Sequence, residues 1–204
     1  MTKHNFQKVF KIFNNNYVPI PLEIFENSPY KVLISTLLSS RTKDEVTLKA
    51  SQRLFKKAPT INKLLILKKI EIEKIIYPVG FYKTKASHLK KLAYIIREDF
   101  QGRIPNTRDN LMSLPGVGRK TANLVINRAF NFPAIAVDTH VHRVSNLLGW
   151  VKTKNPEETE RELNKIVLKK YWKDMNKLFV SIGRQYTGKK LEKFLKGYNL
   201  IDKK

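Results

Sequence analysis

Residues 30–40 read Tyr-Lys-Val-Leu-Ile-Ser-Thr-Leu-Leu-Ser-Ser, apolar almost all the way round a helix, and they follow Ser28 and Pro29. Serine at the cap and proline at the first helical position are helix-start signals. A helix without a polar face belongs in a core, surrounded by other helices. The rest of the chain offers them. Phe6, Val9, Phe10 and Phe13 recur at spacings of three and four, which predicts an amphipathic first helix ending in the Asn14, Asn15, Asn16 run before Pro19 and Pro21. Residues 43–57, 61–67, 71–77 and 83–100 keep the helical period, with Pro59, Pro78, Gly80 and Gly102 as punctuation.

The second half continues in the same way. A short helix is predicted over 107–113, then the tight turn Leu114-Pro-Gly-Val-Gly118, then a helix over 119–130. After an extended stretch at 132–137, Asp138 is placed to cap a helix over 139–148, which Gly149 ends. Asn155 and Pro156, followed by two glutamates, open a helix to about Tyr171, and helices over 173–186 and 189–200 complete the set. No hairpin signal, internal repeat or low-complexity linker interrupts the pattern, so the expected fold is all-α.

Forty Lys and Arg against seventeen Asp and Glu give a net charge of +23 on 204 residues, while 42% hydrophobic content is that of a folded core. The polyanions such a chain meets are DNA, RNA and anionic membranes, and nucleic acid is the leading partner. Phosphate attraction is independent of sequence, so charge alone names no chemistry. The absence of cysteine excludes disulfides, thiolate zinc sites, iron–sulfur ligation and cysteine nucleophiles together. Residues 1–16 mix charged and amide side chains with apolar ones, and no run reaches the roughly 18 apolar residues of a membrane span. A soluble, intracellular protein without membrane contact is expected.

In the Leu114–Gly118 turn, Gly116 and Gly118 permit backbone angles closed to other residues and leave peptide N–H groups uncovered at a helix start. Those donors, with the helix dipole and Arg119, suit a single DNA phosphate. The same residues also suit a plain glycine corner between two helices.

Leu114-Pro-Gly-Val-Gly-Arg-Lys-Thr-Ala-Asn123, followed by Ala136-Val-Asp-Thr-His140 and Arg143-Val144, strongly resembles the helix-hairpin-helix DNA glycosylases of the endonuclease III family. Ser28-Pro-Tyr-Lys-Val-Leu-Ile34, Leu37-Leu-Ser39, Gly80-Phe-Tyr-Lys-Thr-Lys-Ala86, Ile104-Pro105 and Ile182-Gly-Arg184 resemble family segments in the family's order. The resemblance runs from about Ser28 to Tyr186. It implies two helical lobes with a cleft between them, one of residues 21–132 carrying the hairpin at about 107–130, the other of residues 1–20 and 133–204. The implied activity is a base-excision-repair glycosylase with abasic-site lyase action on oxidised pyrimidines in duplex DNA.

The resemblance makes Lys120 the nucleophile and Asp138 its partner. Schiff-base chemistry needs a neutral amine, and a first-turn position beside Arg119 disfavours the cation. Asp138 would stabilise the cation-like sugar or accept the lysine proton. Lys120 also reads as a surface or phosphate-contacting lysine, and Asp138 as an N-cap. The adenine-excising branch resembles a serine at the lysine position and Asp-Gly-Asn at the aspartate, and neither occurs here. Phosphate contacts are expected at Leu114, Gly116, Val117, Gly118 and Arg119, with further DNA contacts at Thr139 and His140. His140 and His142 lie two apart, on different helix faces, and no metal site is expected.

Flipping a nucleotide out of a duplex costs a few kcal/mol, which side chains filling the gap reduce. The resemblance places Arg41 where the family usually has glutamine, and Phe81 where it usually has leucine, as the inserting residues. A core phenylalanine and a phosphate-contacting arginine are the alternatives. Lys83 and Lys85, near the same loop, are expected on backbone phosphate.

Many members of the family carry four cysteines for an iron–sulfur cluster after the segment resembling Gly183-Arg-Gln-Tyr186. Here the basic helix of 189–196 follows instead, which implies a variant with no cofactor. Two other functions fit the same motifs: an abasic-site lyase or mismatch glycosylase with little oxidised-base activity, and a non-catalytic helix-hairpin-helix DNA-binding protein. A monomer is expected because no heptad run occurs, and a cytoplasmic, nucleoid-associated location follows from the substrate.

Overall fold

The computed structural model describes residues 5–26 and 28–202. Among them are twelve α-helices and no strand. In chain order these are α1 (Phe6–Asn15), α2 (Pro29–Ser39), α3 (Asp44–Lys57), α4 (Ile61–Ile66), α5 (Lys69–Ile76) and α6 (Tyr82–Asp99). Then follow α7 (Arg108–Met112), α8 (Arg119–Phe130), α9 (Thr139–Leu147), α10 (Pro156–Ile166), α11 (Trp172–Gln185) and α12 (Lys189–Gly197). Short 3-10 turns at Pro21–Phe25 and Lys169–Tyr171 complete the regular structure.

The chain divides into two compact units. The first is continuous, Pro21–Phe132. Its centre is α2, which packs against α3, α6 and α8 and buries Val32, Leu33, Ile34, Leu37 and Leu38. The Ser28 side chain accepts from Lys31 N–H and Pro29 takes the first turn, so the start signal read from sequence is the one used. Helices α4 and α5 pack on α6, which contributes Ala86, Leu89, Leu92, Ala93 and Ile96 to the same core. Each of the buried Val, Leu and Ile side chains removed from water contributes about 1.5–3 kcal/mol, the main force holding the unit together.

The second unit joins Met1–Ile20 to Pro133–Lys204. Its core is aromatic. Phe10 of α1 stacks on Tyr171 with centroids 4.3 Å apart, and Phe13 meets Phe179 of α11 edge-on at 5.0 Å. Val18 is pinned to α11 by Ser181, whose hydroxyl accepts from Val18 N–H at 2.8 Å and donates to its carbonyl at 2.9 Å. On α12, Leu191 and Leu195 are fully buried, and Phe194 stacks on Tyr186 at 4.4 Å. A polar cluster ties α9 to α10: Thr159 Oγ1 lies 2.6 Å from His142 Nδ1 and 2.5 Å from Thr153 Oγ1, and Asn146 donates to Thr153 Oγ1.

One helix is shorter than its sequence pattern. The segment expected to run to Tyr171 leaves the helix at Ile166, because Val167 takes extended angles of φ −83° and ψ 129°. The indole of Trp172 donates to Val167 carbonyl at 2.8 Å, occupying the acceptor a continuing helix would have used. Tyr171 N–H turns instead to Leu168 carbonyl, which makes the 3-10 turn.

Candidate nucleic-acid interface

The hairpin is built from α7 and α8. Thr107 caps α7, its hydroxyl accepting from Asn110 N–H. Arg108 Nε donates to the buried Asn123 Oδ1 at 2.9 Å, which fastens α7 to α8 across the turn. Gly116 sits at φ +80°, where side chains are strained, and an added Cβ would lie 2.6 Å from His88 Nδ1 of α6. Gly116 is therefore required twice over. Gly118 is different: at φ −92° and ψ 177° it is extended, and a Cβ there would meet open space. Its value is as an N-cap that brings no side chain to the start of α8.

Two of the expected phosphate contacts have other employment. Leu114 N–H donates to Leu111 carbonyl and Val117 N–H to Leu114 carbonyl, and both side chains are buried. Leu114 and Val117 build the turn rather than offer donors. The amides of Gly116 and Gly118 donate to no backbone carbonyl among the described residues. Arg119 and Lys120 follow as the first two residues of α8, Arg119 half-buried and Lys120 exposed.

Asp138 is the N-cap of α9. Its Oδ1 accepts from both His140 and Val141 N–H, each at 2.9 Å, so the cap uses one carboxylate oxygen. Asn176 of α11 donates to Ala136 carbonyl at 2.8 Å and holds the strand-like segment leading into the cap. Thr139 is exposed at the first position of α9. His140 is half-buried against Gly183, where a Cβ would lie 2.7 Å from its Nδ1. Arg143 reaches His140 Nδ1 at 3.3 Å and donates to Gly183 carbonyl at 2.8 Å, a clip that the sequence reading did not identify.

Arg41 and Phe81 are brought together. Both are exposed, both sit in the left-handed region at φ +52° and +56°, and the Arg41 guanidinium carbon lies 5.5 Å from the Phe81 ring centroid. Phe81 is 61% exposed and is no core residue. Lys83 is exposed at the start of α6.

Lys85 is not on the surface, which overturns its expected phosphate contact. It is 6% exposed, and its Nζ donates to Leu38 carbonyl at 2.7 Å, Ser40 carbonyl at 2.5 Å and Thr42 Oγ1 at 3.3 Å. The ammonium caps the C-terminal end of α2, where the helix dipole favours a cation. Burial pulls Lys85 down to about 8 from the ordinary 10.5.

No three His, Cys, Asp or Glu side chains converge on a metal-sized site among the described residues, and the chain contains no cysteine. These residues do not fit an iron–sulfur cluster. No helix among the described residues is long and apolar enough to cross a membrane.

A family model described as HhH-GPD superfamily base excision DNA repair protein matches residues 34–169. The chain belongs to this family. Within the HhH-GPD superfamily it is similar to endonuclease III of Thermotoga maritima, 47% identical over 160 residues that cover 78% of this chain and 75% of that one. It is 43% identical to endonuclease III-like protein 1 of Gallus gallus over 159 residues, 76% of this chain and 57% of the avian protein. The chain thus spans little more than half of that longer relative. Among solved HhH-GPD structures, a trapped endonuclease III–DNA covalent intermediate in an estranged-adenine complex superposes with a TM-score of 0.78. That structure shares 36% identity and covers 88% of this chain and 83% of its own.

Proposed function

We infer that this protein is a base-excision-repair DNA glycosylase with abasic-site lyase activity, acting on oxidised pyrimidines in duplex DNA. The observation that carries the reading is Lys120, an exposed amine in the first turn of α8 directly after the Gly116–Gly118 turn, in a chain that belongs to the HhH-GPD family. A related protein of the same fold has been captured as a covalent intermediate with DNA.

The turn binds one backbone phosphate through Gly116 and Gly118 N–H and Arg119. Lys83, Thr139 and His140 add DNA contacts, and Arg41 and Phe81 occupy the space a flipped nucleotide leaves. Neutral Lys120 Nζ forms a bond to C1′ of the damaged nucleotide as the C1′–N bond breaks, and the base leaves with that electron pair and takes a proton from water. Asp138 stabilises the positive charge that develops on the sugar and receives the proton released from the amine. The sugar ring opens to a Schiff base. Loss of a proton from C2′ then expels the 3′ phosphate by β-elimination, and water hydrolyses the imine to free Lys120. The catalytic groups of this scheme are the Lys120 and Asp138 side chains, with water as co-reactant and no cofactor. It acts as a monomer in the cytoplasm, at the nucleoid.

Borohydride trapping tests this. Duplex oligonucleotides carrying thymine glycol, an abasic site or 8-oxoguanine are incubated with the protein, with Lys120→Ala alongside. The expected result is a covalent complex on thymine glycol and on the abasic site that disappears in the variant. Trapping on the abasic site alone would leave a lyase without oxidised-base activity. Tight binding with no adduct on any substrate would leave a DNA-binding protein.

A further inference from the structure

Two turns of the continuous unit, residues 40–42 after α2 and residues 80–81 before α6, are fastened to each other at one hydroxyl. Thr42 Oγ1 donates to Ser40 carbonyl at 3.2 Å, accepts from Gly80 N–H at 3.1 Å, and accepts from Lys85 Nζ at 3.3 Å. Lys85 Nζ in turn spans Leu38 and Ser40 carbonyls, so each donor hydrogen of the buried ammonium has an acceptor. The approach leaves no slack. A Cβ on Gly80 would lie 2.5 Å from Arg41 carbonyl, so only glycine admits the contact.

The outcome of this fastening is carried by the residues beyond it. Arg41 and Phe81 are held in left-handed backbone conformations that an unconstrained arginine or phenylalanine would leave, and their side chains stack on each other in solvent. Such strain persists only where the surroundings over-determine it. The surroundings here are Lys85 and Thr42, with a buried charge whose removal would leave two helix-end carbonyls without their donor.

We propose that Lys85 is a positioning residue, which locks the 40–42 turn to the 80–81 turn so that Arg41 and Phe81 form one preassembled wedge. This rests on the glycosylase reading. Side chains already in place when the nucleotide leaves the stack lose no conformational freedom at that moment. The benefit is confined to substrates in which a base pair must be opened, and it falls on the flipping and chemical steps rather than on capture of the duplex.

The test compares wild type with Lys85→Met, Thr42→Val and Thr42→Ser. Single-turnover excision of thymine glycol is measured in a duplex and in a single strand, together with affinity for undamaged duplex. Lys85→Met and Thr42→Val are expected to lower the duplex rate roughly 10-fold or more while changing the single-strand rate and the undamaged-duplex affinity by less than about twofold. Thr42→Ser, which keeps the shared hydroxyl, is expected to restore the duplex rate. Equal losses on both substrates, or a duplex rate unchanged in both Lys85→Met and Thr42→Val, would overturn the role. If Lys85→Met does not fold, the Thr42 pair decides alone. A wild-type chain inactive on every lesion, single-stranded ones included, would instead remove the glycosylase function and this role with it.

Discussion

Asp138 combines two tasks that substitution can separate. Its Oδ1 caps α9 through two 2.9 Å bonds, a task asparagine performs as well as aspartate, whereas the negative charge is what the proposed chemistry needs. Asp138→Asn is expected to change stability by only a few tenths of a kcal/mol and Asp138→Ala to cost about 1 kcal/mol. Both should lower single-turnover excision by at least about 100-fold. Urea unfolding and rate measurements on the same preparations check the pair. Gly116→Ala faces both the φ of +80° and His88, and should lose about 1–3 kcal/mol of stability along with affinity for intact duplex. Gly118→Ala meets neither obstacle, and its melting temperature should stay close to wild type. Lys85 sets a third expectation. Its folded value of about 8 lies below the ordinary 10.5, so between those values the unfolded chain binds more protons and the Lys85 contribution to stability rises with pH. Urea midpoints from pH 7 to 10, taken as wild type minus Lys85→Met, should climb through that window and be flat below it.

The residues that were easiest to read from sequence are those whose role is local. Pro29 after Ser28, Gly116 in its turn and Asp138 before α9 act on neighbours a few positions away, so spacing alone exposes them. Lys85 was assigned to phosphate because a lysine in a basic loop normally reaches solvent, and nothing local shows that its acceptors lie 43 to 47 positions earlier. The use of the Leu114 and Val117 amides is hidden for a related reason: a short turn satisfies some of its own donors, and which ones depends on φ and ψ.

At the scale of elements, the boundaries followed side-chain competition for backbone groups. The α10 pattern continues past Ile166 in hydrophobic period, yet the Trp172 indole takes the carbonyl needed to continue it. The all-α architecture was legible because helical period runs through the whole chain, and the family segments from Ser28 to Tyr186 gave the rest. The pairing of particular helices was not legible, since an apolar stripe does not name its partner. Helix α12 shows the two faces of such an element. Leu195 is fully buried, and Leu195→Ala is expected to cost about 2–5 kcal/mol, whereas Lys193→Ala on the exposed face should stay within about 0.5 kcal/mol. Denaturant midpoints on the two variants separate packing from charge.

For the whole molecule, a net charge of +23 makes binding to intact duplex a counterion-release process. The logarithm of affinity should fall linearly with the logarithm of salt concentration, with a slope of about −0.9 for each phosphate neutralised, and replacing Lys83, proposed above as a DNA contact, should reduce the slope by about 1. Fluorescence anisotropy across a salt series measures both. The division of the chain carries a different consequence. One unit is the uninterrupted segment Pro21–Phe132, while the other needs α1 to meet α11, some 160 residues later. A ribosome releases the chain from its N-terminus, so the uninterrupted unit has all its parts while α9 to α12 are still untranslated. During that interval Phe10 and Phe13 have no Phe179 or Tyr171 to cover them. Of the helices described, α1 leaves the ribosome before the other eleven and is among the last to be buried.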